Sequence, residues 1–379
     1  MQSGAKRPRR RLVHLFSPIA CGICARSTTC AKSLAAVKAF AYDALMLPTS
    51  MFTMTVDPLG YKLLGAFKPA PLATDRDVVV RVLACGVCRT DLHIIDGDLP
   101  LRQAGLVPGH EVVGQVVARG AQATRFSIGQ RVGIPWLGQT CGVCAFCAMA
   151  RENLCDFPVF TGYDRDGGFA EYTAADERFC FTLPERYDDA HAAPLLCAGL
   201  IGFRAWRLAG ETGARRLGLY GFGAAAHIIC QIAVSQHQEV YAFTQKDDLA
   251  GQAFARSLGA TWAGGSDQAP PLLLDAALIF APVGALVPIA LAATRKGGTV
   301  VCAGIHMSTI PAFEYRLLWG ERVLKSVANL TRQDGEDFFS LIDEFPVQTH
   351  VQTFALQDAN AAVQALRDGA VNGAAVLVP

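Results

Sequence analysis

At 379 residues, 51% hydrophobic and 18% charged, the chain is long enough to bury the cores of two domains. Its net charge of +1 is unevenly spread: residues 1–50 carry eight basic side chains against one acidic one, Asp43, and the remainder is net −6, which leaves nucleic acid without an electrostatic case as a partner. Thirteen cysteines at irregular spacing speak against a disulfide framework and for bound zinc in a reducing, cytoplasmic setting.

In chain order, the first fifty residues look foreign to the rest of the chain. Lys6-Arg7-Pro8-Arg9-Arg10-Arg11 is a basic run in an acid-poor stretch, as in a transit peptide, a disordered arm, or upstream sequence translated from the wrong start. The last is favoured, because Met51 and Met54 stand just before a plausible domain start. Cys21 and Cys24 form a lone CxxC with no second pair and are assigned no metal. From Leu59 to about Cys197 the pattern is strand-rich, with strands expected over 77–84 and 112–117 and turns at Pro108-Gly109, Ile128-Gly129 and Gly167-Gly168.

Two motifs lie in this region. The first is Gly86-Val87-Cys88-Arg89-Thr90-Asp91-Leu92-His93 followed by Pro108-Gly109-His110-Glu111. It gathers a thiol, an imidazole and a carboxylate, the ligand types zinc accepts, and a catalytic zinc needs a third protein ligand, for which Cys197 is the candidate. The second is Cys141-x2-Cys144-x2-Cys147-x7-Cys155. Four thiolates at this spacing can wrap one ion in a closed tetrahedral site, so this is expected to be a structural zinc lobe.

After Cys197 the texture changes to alternating strands and helices. A strand at 216–220 runs into Gly221-Phe222-Gly223-Ala224-Ala225-Ala226 and a helix over 227–234, with a second strand at 239–244. This is G-x-G-x-x-A in its confirming context: Gly221 permits the turn, Gly223 lets backbone approach a pyrophosphate, and Ala226 keeps helix close to strand. A helix over 248–258, a strand over 274–280, a helix over 284–294 and a strand over 298–303 ending in Gly304 complete a doubly wound parallel sheet. The apolar stretch 272–293 holds one charge, Asp275, but also Pro282, Gly284 and Pro288, and reads as a buried strand and crossover helix, with no membrane span. From about Leu324 the chain reads as β-rich and as returning to the first domain.

Cys88, His110 and Cys197, the four-cysteine lobe and the dinucleotide fold, in that order, resemble the zinc-dependent alcohol dehydrogenases of the medium-chain dehydrogenase/reductase superfamily. Pro135-Trp136-Leu137-Gly138 and Ala193-Pro194-Leu195-Leu196-Cys197-Ala198-Gly199 look like the microbial members. The resemblance implies an α/β fold with a GroES-like, largely antiparallel catalytic domain (54–197 and 326–379, with the zinc lobe at 141–155) interrupted by a Rossmann-type domain (198–325), behind an extension, 1–53, that is disordered or mis-started. It implies two zinc ions per chain, with Cys88, His110 and Cys197 on the catalytic ion and Glu111 beside it. Arg89 would pair with the cofactor pyrophosphate and Asp91 would orient a ligand histidine. Thr90 would bond the substrate oxygen and begin a proton relay ending at His93. Trp136 would wall the pocket, and His306, just past a strand end, is a further pocket candidate.

The implied reaction interconverts a small alcohol and NAD(P)+ with an aldehyde or ketone and NAD(P)H, in a homo-oligomer. The second strand ends Thr244-Gln245-Lys246, with no carboxylate until Asp247. An acidic residue there normally binds the ribose 2′-hydroxyl of NAD, while Thr244 tolerates and Lys246 neutralises a 2′-phosphate, a slight lean to NADP. Competing readings are a quinone reductase of the superfamily, disfavoured by the intact ligand set, a cinnamyl- or polyol-type zinc dehydrogenase, and a non-catalytic zinc-binding protein.

Overall fold

The computed structural model describes residues 47–379 apart from Glu211, Thr212 and Asn372. The basic run and Cys21/Cys24 therefore lie outside the described residues.

The first body opens with a hairpin of β1 (Met51–Val56) and β2 (Leu63–Lys68). Met51–Thr53 are part of that strand, and Thr53 is buried, which corrects the expectation that the extension runs to residue 53. β3 (Asp77–Val87) carries Val78, Val79, Val80, Val82 and Ala84, all buried; neighbouring residues of a strand face opposite ways, so burial of Val78, Val79 and Val80 covers both faces there, and the exposed Arg81 interrupts the apolar run. Helix α1 (Arg89–Ile95) follows at once, then β4 (Glu111–Arg119) and β5 (Arg131–Ile134). β6 (Leu137–Gln139), the short helix α2 (Ala145–Ala148) and β7 (Val159–Phe160) carry the four-cysteine loop. β8 (Tyr172–Asp176), β9 (Phe181–Thr182), α3 (Asp189–Ala192) and α4 (Ala198–Leu208) lead out of this body.

The second body is a six-stranded parallel sheet. Its elements are β10 (Arg216–Tyr220), α5 (Ala224–Ser235), β11 (Glu239–Thr244), α6 (Leu249–Ser257), β12 (Trp262–Gly265), β13 (Leu274–Ile279), α7 (Leu286–Ala293), β14 (Thr294–Cys302) and β15 (Val323–Ser326). The order is β12-β11-β10-β13-β14-β15, so strand order reverses between β10 and β13, and a ligand is received at the carboxyl ends of the strands on either side of that reversal. α5 buries Ile228, Ile229, Ile232 and Ala233 on one stripe, the spacing of an amphipathic helix on a sheet. Residues 272–293 form β13 and α7, and among the described residues no helix is long and apolar enough to cross a membrane.

The tail departs from the expectation of a β-rich return. It begins inside the parallel sheet with β15 and continues with α8 (Arg332–Glu344), β16 (Val351–Ala355), α9 (Ala359–Arg367) and β17 (Ala374–Val378). α8 starts in a reciprocal cap between Thr331 and Asp334, a helix signal that the strand reading of this segment passed over. The final strand does rejoin the first body: the mixed sheet runs β16-β17-β3-β4-β5-β9, with β8 on β3, and Leu377 pairs with Cys85.

Candidate active site

Local folding explains why the site residues meet. β3 ends at Val87, and Cys88 is the N-terminal cap of α1, where Cys88 N–H donates to Asp91 Oδ2 at 2.8 Å. The other oxygen of Asp91 accepts from Gly109 N–H at 3.1 Å and lies 3.3 Å from His110 Nδ1. One fully buried carboxylate thus ties the Cys88 segment to the His110 segment. Glu111 opens β4 opposite Gly86 in β3. A Cβ on Gly86 would stand 1.8 Å from Glu111 Oε2, so a glycine in mid-strand is what admits the carboxylate. Cys197, at the start of α4, comes in from the far side.

Together Cys88, His110, Glu111 and Cys197 place one donor atom each within 4.8 Å of one another. The Cys88 and Cys197 sulfurs are 3.7 Å apart; a tetrahedral zinc with Zn–S of ~2.3 Å has a sulfur–sulfur edge of about 3.8 Å. The electrostatics fit the same ion. Contact with Cys197 holds the Cys88 thiol well below its ordinary range, while Cys88 and burial hold Cys197 well above. Burial and the charge on Cys88 push Glu111 up. Burial works against a charged His110, yet Asp91 and Cys88 outweigh it and raise the imidazole. These groups share too little positive charge to ionise together, and a divalent cation at their centre would supply it.

The four-cysteine loop is built on the same dimensions. Sulfur separations are 3.5 Å for Cys155–Cys141, 3.9 Å for Cys144–Cys155 and 4.0 Å for Cys141–Cys147. Backbone N–H groups of Cys141 and Phe157 point at Cys155 Sγ, and that of Cys144 at Cys141 Sγ. Backbone N–H groups of Cys147 and Asp156 draw the Cys144 thiol down to about 6, as thiolate ligands require. Among the described residues all ten cysteines are free thiols.

Around the first cluster, Thr90 is buried with Oγ1 3.7 Å from Cys88 Sγ. His93 lies one turn further on the same face, with Nδ1 2.8 Å from Asp98 Oδ2 and its ring 4.4 Å from that of His306. Trp136 stands edge-on to His110 at 5.0 Å and stacks on Phe160 at 4.9 Å and Tyr163 at 5.9 Å. Arg89 is exposed. Phe160, Tyr163, Asp98 and Gly86 escape a reading of the sequence. Only Gly86 leaves a sign there, a glycine inside a strand pattern.

In the parallel sheet, Gly221 turns the chain with φ +85°, and a Cβ there would lie 2.8 Å from the Ala281 backbone. Gly223 caps α5 with open space over it, and Ala226 is fully buried. Gly304 follows β14, where a Cβ would approach the Phe280 carbonyl at 3.1 Å. The Thr244 hydroxyl turns inward, donating to the Gln245 carbonyl at 2.9 Å and accepting from Gln252 at 3.2 Å. The exposed Lys246 ammonium is 3.9 Å from Asp267.

Residues 74–185 match the family model described as "Alcohol dehydrogenase GroES-like domain". The chain is 43% identical over 317 residues to "Probable alcohol dehydrogenase AdhA" of Mycobacterium tuberculosis (strain CDC 1551 / Oshkosh), covering 82% of this chain and 90% of that one. It is 32% identical to an alcohol dehydrogenase of Geobacillus stearothermophilus, covering 81% and 93%. Among solved structures it is similar to a cinnamyl alcohol dehydrogenase from Sorghum bicolor, with TM-score 0.79 and 25% identity over 87% of this chain and 97% of that one.

Proposed function

Because the chain belongs to the zinc-type alcohol dehydrogenases of the medium-chain dehydrogenase/reductase superfamily, we propose that it moves hydride reversibly between a small primary or secondary alcohol and NAD(P)+, with Cys88, His110 and Cys197 holding a catalytic zinc and Glu111 beside it. The reaction is alcohol + NAD(P)+ ⇌ aldehyde or ketone + NAD(P)H + H+. The observation that carries this reading is the 3.7 Å sulfur pair of Cys88 and Cys197 with an imidazole and a carboxylate in the same 4.8 Å cluster.

Zinc, when bound, supplies Lewis acidity that brings the pKa of an alcohol oxygen toward neutrality. The chain's own residues do the rest. Thr90 takes the hydroxyl proton and passes one on toward His93, whose Nδ1 is occupied by Asp98 and whose Nε2 is the base. Asp91 keeps the two ligand segments in register. The amides at the start of α5, with Arg89, hold the pyrophosphate, and Gly221, Gly223, Ala226 and Gly304 let the dinucleotide lie close. The stacked wall of Trp136, Phe160 and Tyr163 narrows the approach to His110, which favours small alcohols over cinnamyl alcohol.

The lobe of Cys141, Cys144, Cys147 and Cys155 holds a second, structural zinc. Its free thiols suit a reducing compartment such as the cytoplasm. Cys88→Ser should lose turnover at least 10³-fold and about one of about two zinc ions, while its dissociation constant for dinucleotide stays put. Turnover at the wild-type rate overturns the assignment.

For the dinucleotide we infer NADP. With Thr244 turned inward, the inference rests on Lys246 and on the lack of a carboxylate before Asp247. Lys246→Ala should raise KM for NADP about threefold or more with KM for NAD unmoved; equal effects on both assign NAD.

A further inference from the structure

His93 and His306 come from different parts of the chain, one on α1 beside the cysteine–histidine cluster, the other in the loop that leaves β14. Their ring centroids are 4.4 Å apart at an interplanar angle of 47°. The His306 loop is pinned on both flanks, by Gly304 N–H on the Ile279 carbonyl at 3.2 Å and by Ser308 N–H on the Pro282 carbonyl at 3.1 Å. Between the pins His306 has φ +52°, a left-handed conformation that a side chain resists and that persists where the surroundings impose it. Asp98 is, among the described residues, the carboxylate in ion-pair reach of His93, so Asp98 and His306 are the titratable groups that face it. The Asp98 carboxylate accepts, so Nδ1 of His93 carries the hydrogen and Nε2 the lone pair.

We propose that His306 is a positioning residue for the proton relay, its ring packed against His93 so that the imidazole keeps Nδ1–H on Asp98 and leaves Nε2 to take the proton. The proposal rests on the relay role of His93 under the proposed function. The proton that leaves the alcohol oxygen arrives at Nε2 and passes to solvent, while the hydride leaves separately to NAD(P)+. An uncharged ring in that place, such as a phenyl, would tolerate the charge that appears on His93. A fixed cation at the same place opposes it. Since the two rings belong to the two sheet systems, the relay is complete only when both are in place.

The test tracks the His93 imidazole by nitrogen NMR in the zinc-loaded protein from pH 5 to 9, beside the pH dependence of kcat/KM. His306→Phe keeps a ring and should leave the His93 midpoint and the acid limb unmoved. His306→Lys should carry both to lower pH by about 0.5–1 unit. His306→Asn, which suits the left-handed backbone and removes the ring, should fold and lose roughly three- to tenfold in kcat. A midpoint untouched by His306→Lys, or equal losses in all three variants without a shift of the limb, overturns the proposal. His93→Ala at the wild-type rate and with the wild-type acid limb would overturn the relay itself, a separate result.

Discussion

His227 is the second residue after the dinucleotide turn's Ala225, and it plays no part in the chemistry proposed. Its ring is buried, its Nδ1 is 3.4 Å from the Gly223 carbonyl, and its Nε2 has no hydrogen-bond partner. Burial lowers its pKa to about 4. The unfolded chain binds a proton near 6.5 and the folded one does not until about 4, so stability is complete above the higher value and declines as pH falls between them. Relative to pH 8 the loss at pH 5 should be about 2 kcal/mol. His227→Gln should remove that part of the slope in urea unfolding at the two pH values, and an equal slope in both proteins would contradict the account. At this scale the two clusters of candidate metal ligands were legible because residue type and spacing carry the chemistry. His306 beside His93 was not, since nothing local relates a loop residue to an imidazole more than two hundred positions earlier. The inward turn of Thr244 was hidden for the same reason: Gln252, which bonds it, belongs to the next helix.

Among the described residues, the four-cysteine loop contributes no strand to either large sheet and is tied to the tail through Asn153 and Glu152. Asn153 Nδ2 donates to the Ala328 carbonyl at 2.8 Å, and the Arg332 backbone N–H donates to Glu152 Oε1 at 3.0 Å. With four cysteine side chains in place of an apolar core, the loop would owe its order to the proposed ion. Cys144→Ser should lose about one zinc, lower Tm by about 5 °C or more, and open residues 141–155 to protease, with dinucleotide binding retained. Protease resistance equal to the wild type would show that the loop stands without metal. Between Arg216 and Cys302 most strands and helices could be read from the sequence, but β12 (Trp262–Gly265) could not, because its short run Trp262-Ala263-Gly264-Gly265 carries little apolar signal. In the tail only the final strand, Ala374–Val378, could be read: Val347 to Val351 looks like one strand, yet the Val347 amide is taken by the Tyr187 hydroxyl and pairing starts only at Val351.

The parallel sheet ends in an uncovered edge at β15, with Tyr315, Trp319 and Val323 exposed nearby. An open edge flanked by exposed aromatic and branched side chains invites a second copy. If the homo-oligomer that the family resemblance implies forms along this edge, sedimentation should find the wild type larger than 40.4 kDa, and Val323→Lys should shift it toward monomer; a monomeric wild type would refute this. The other sheet has a different dependence. Strand β3, which leads directly into Cys88, is flanked by β4 on one side and on the other by β17, through Leu377 and Cys85. During synthesis the N-terminal half of that side is covered by β8, but its Cys85–Val87 end stays bare while the nucleotide-binding half emerges from the ribosome and folds. The thiols nearest the reaction centre are therefore the last part of the enzyme to be walled in, and a nascent chain stalled short of Leu377 would expose them to oxidants and to whichever metal arrives first.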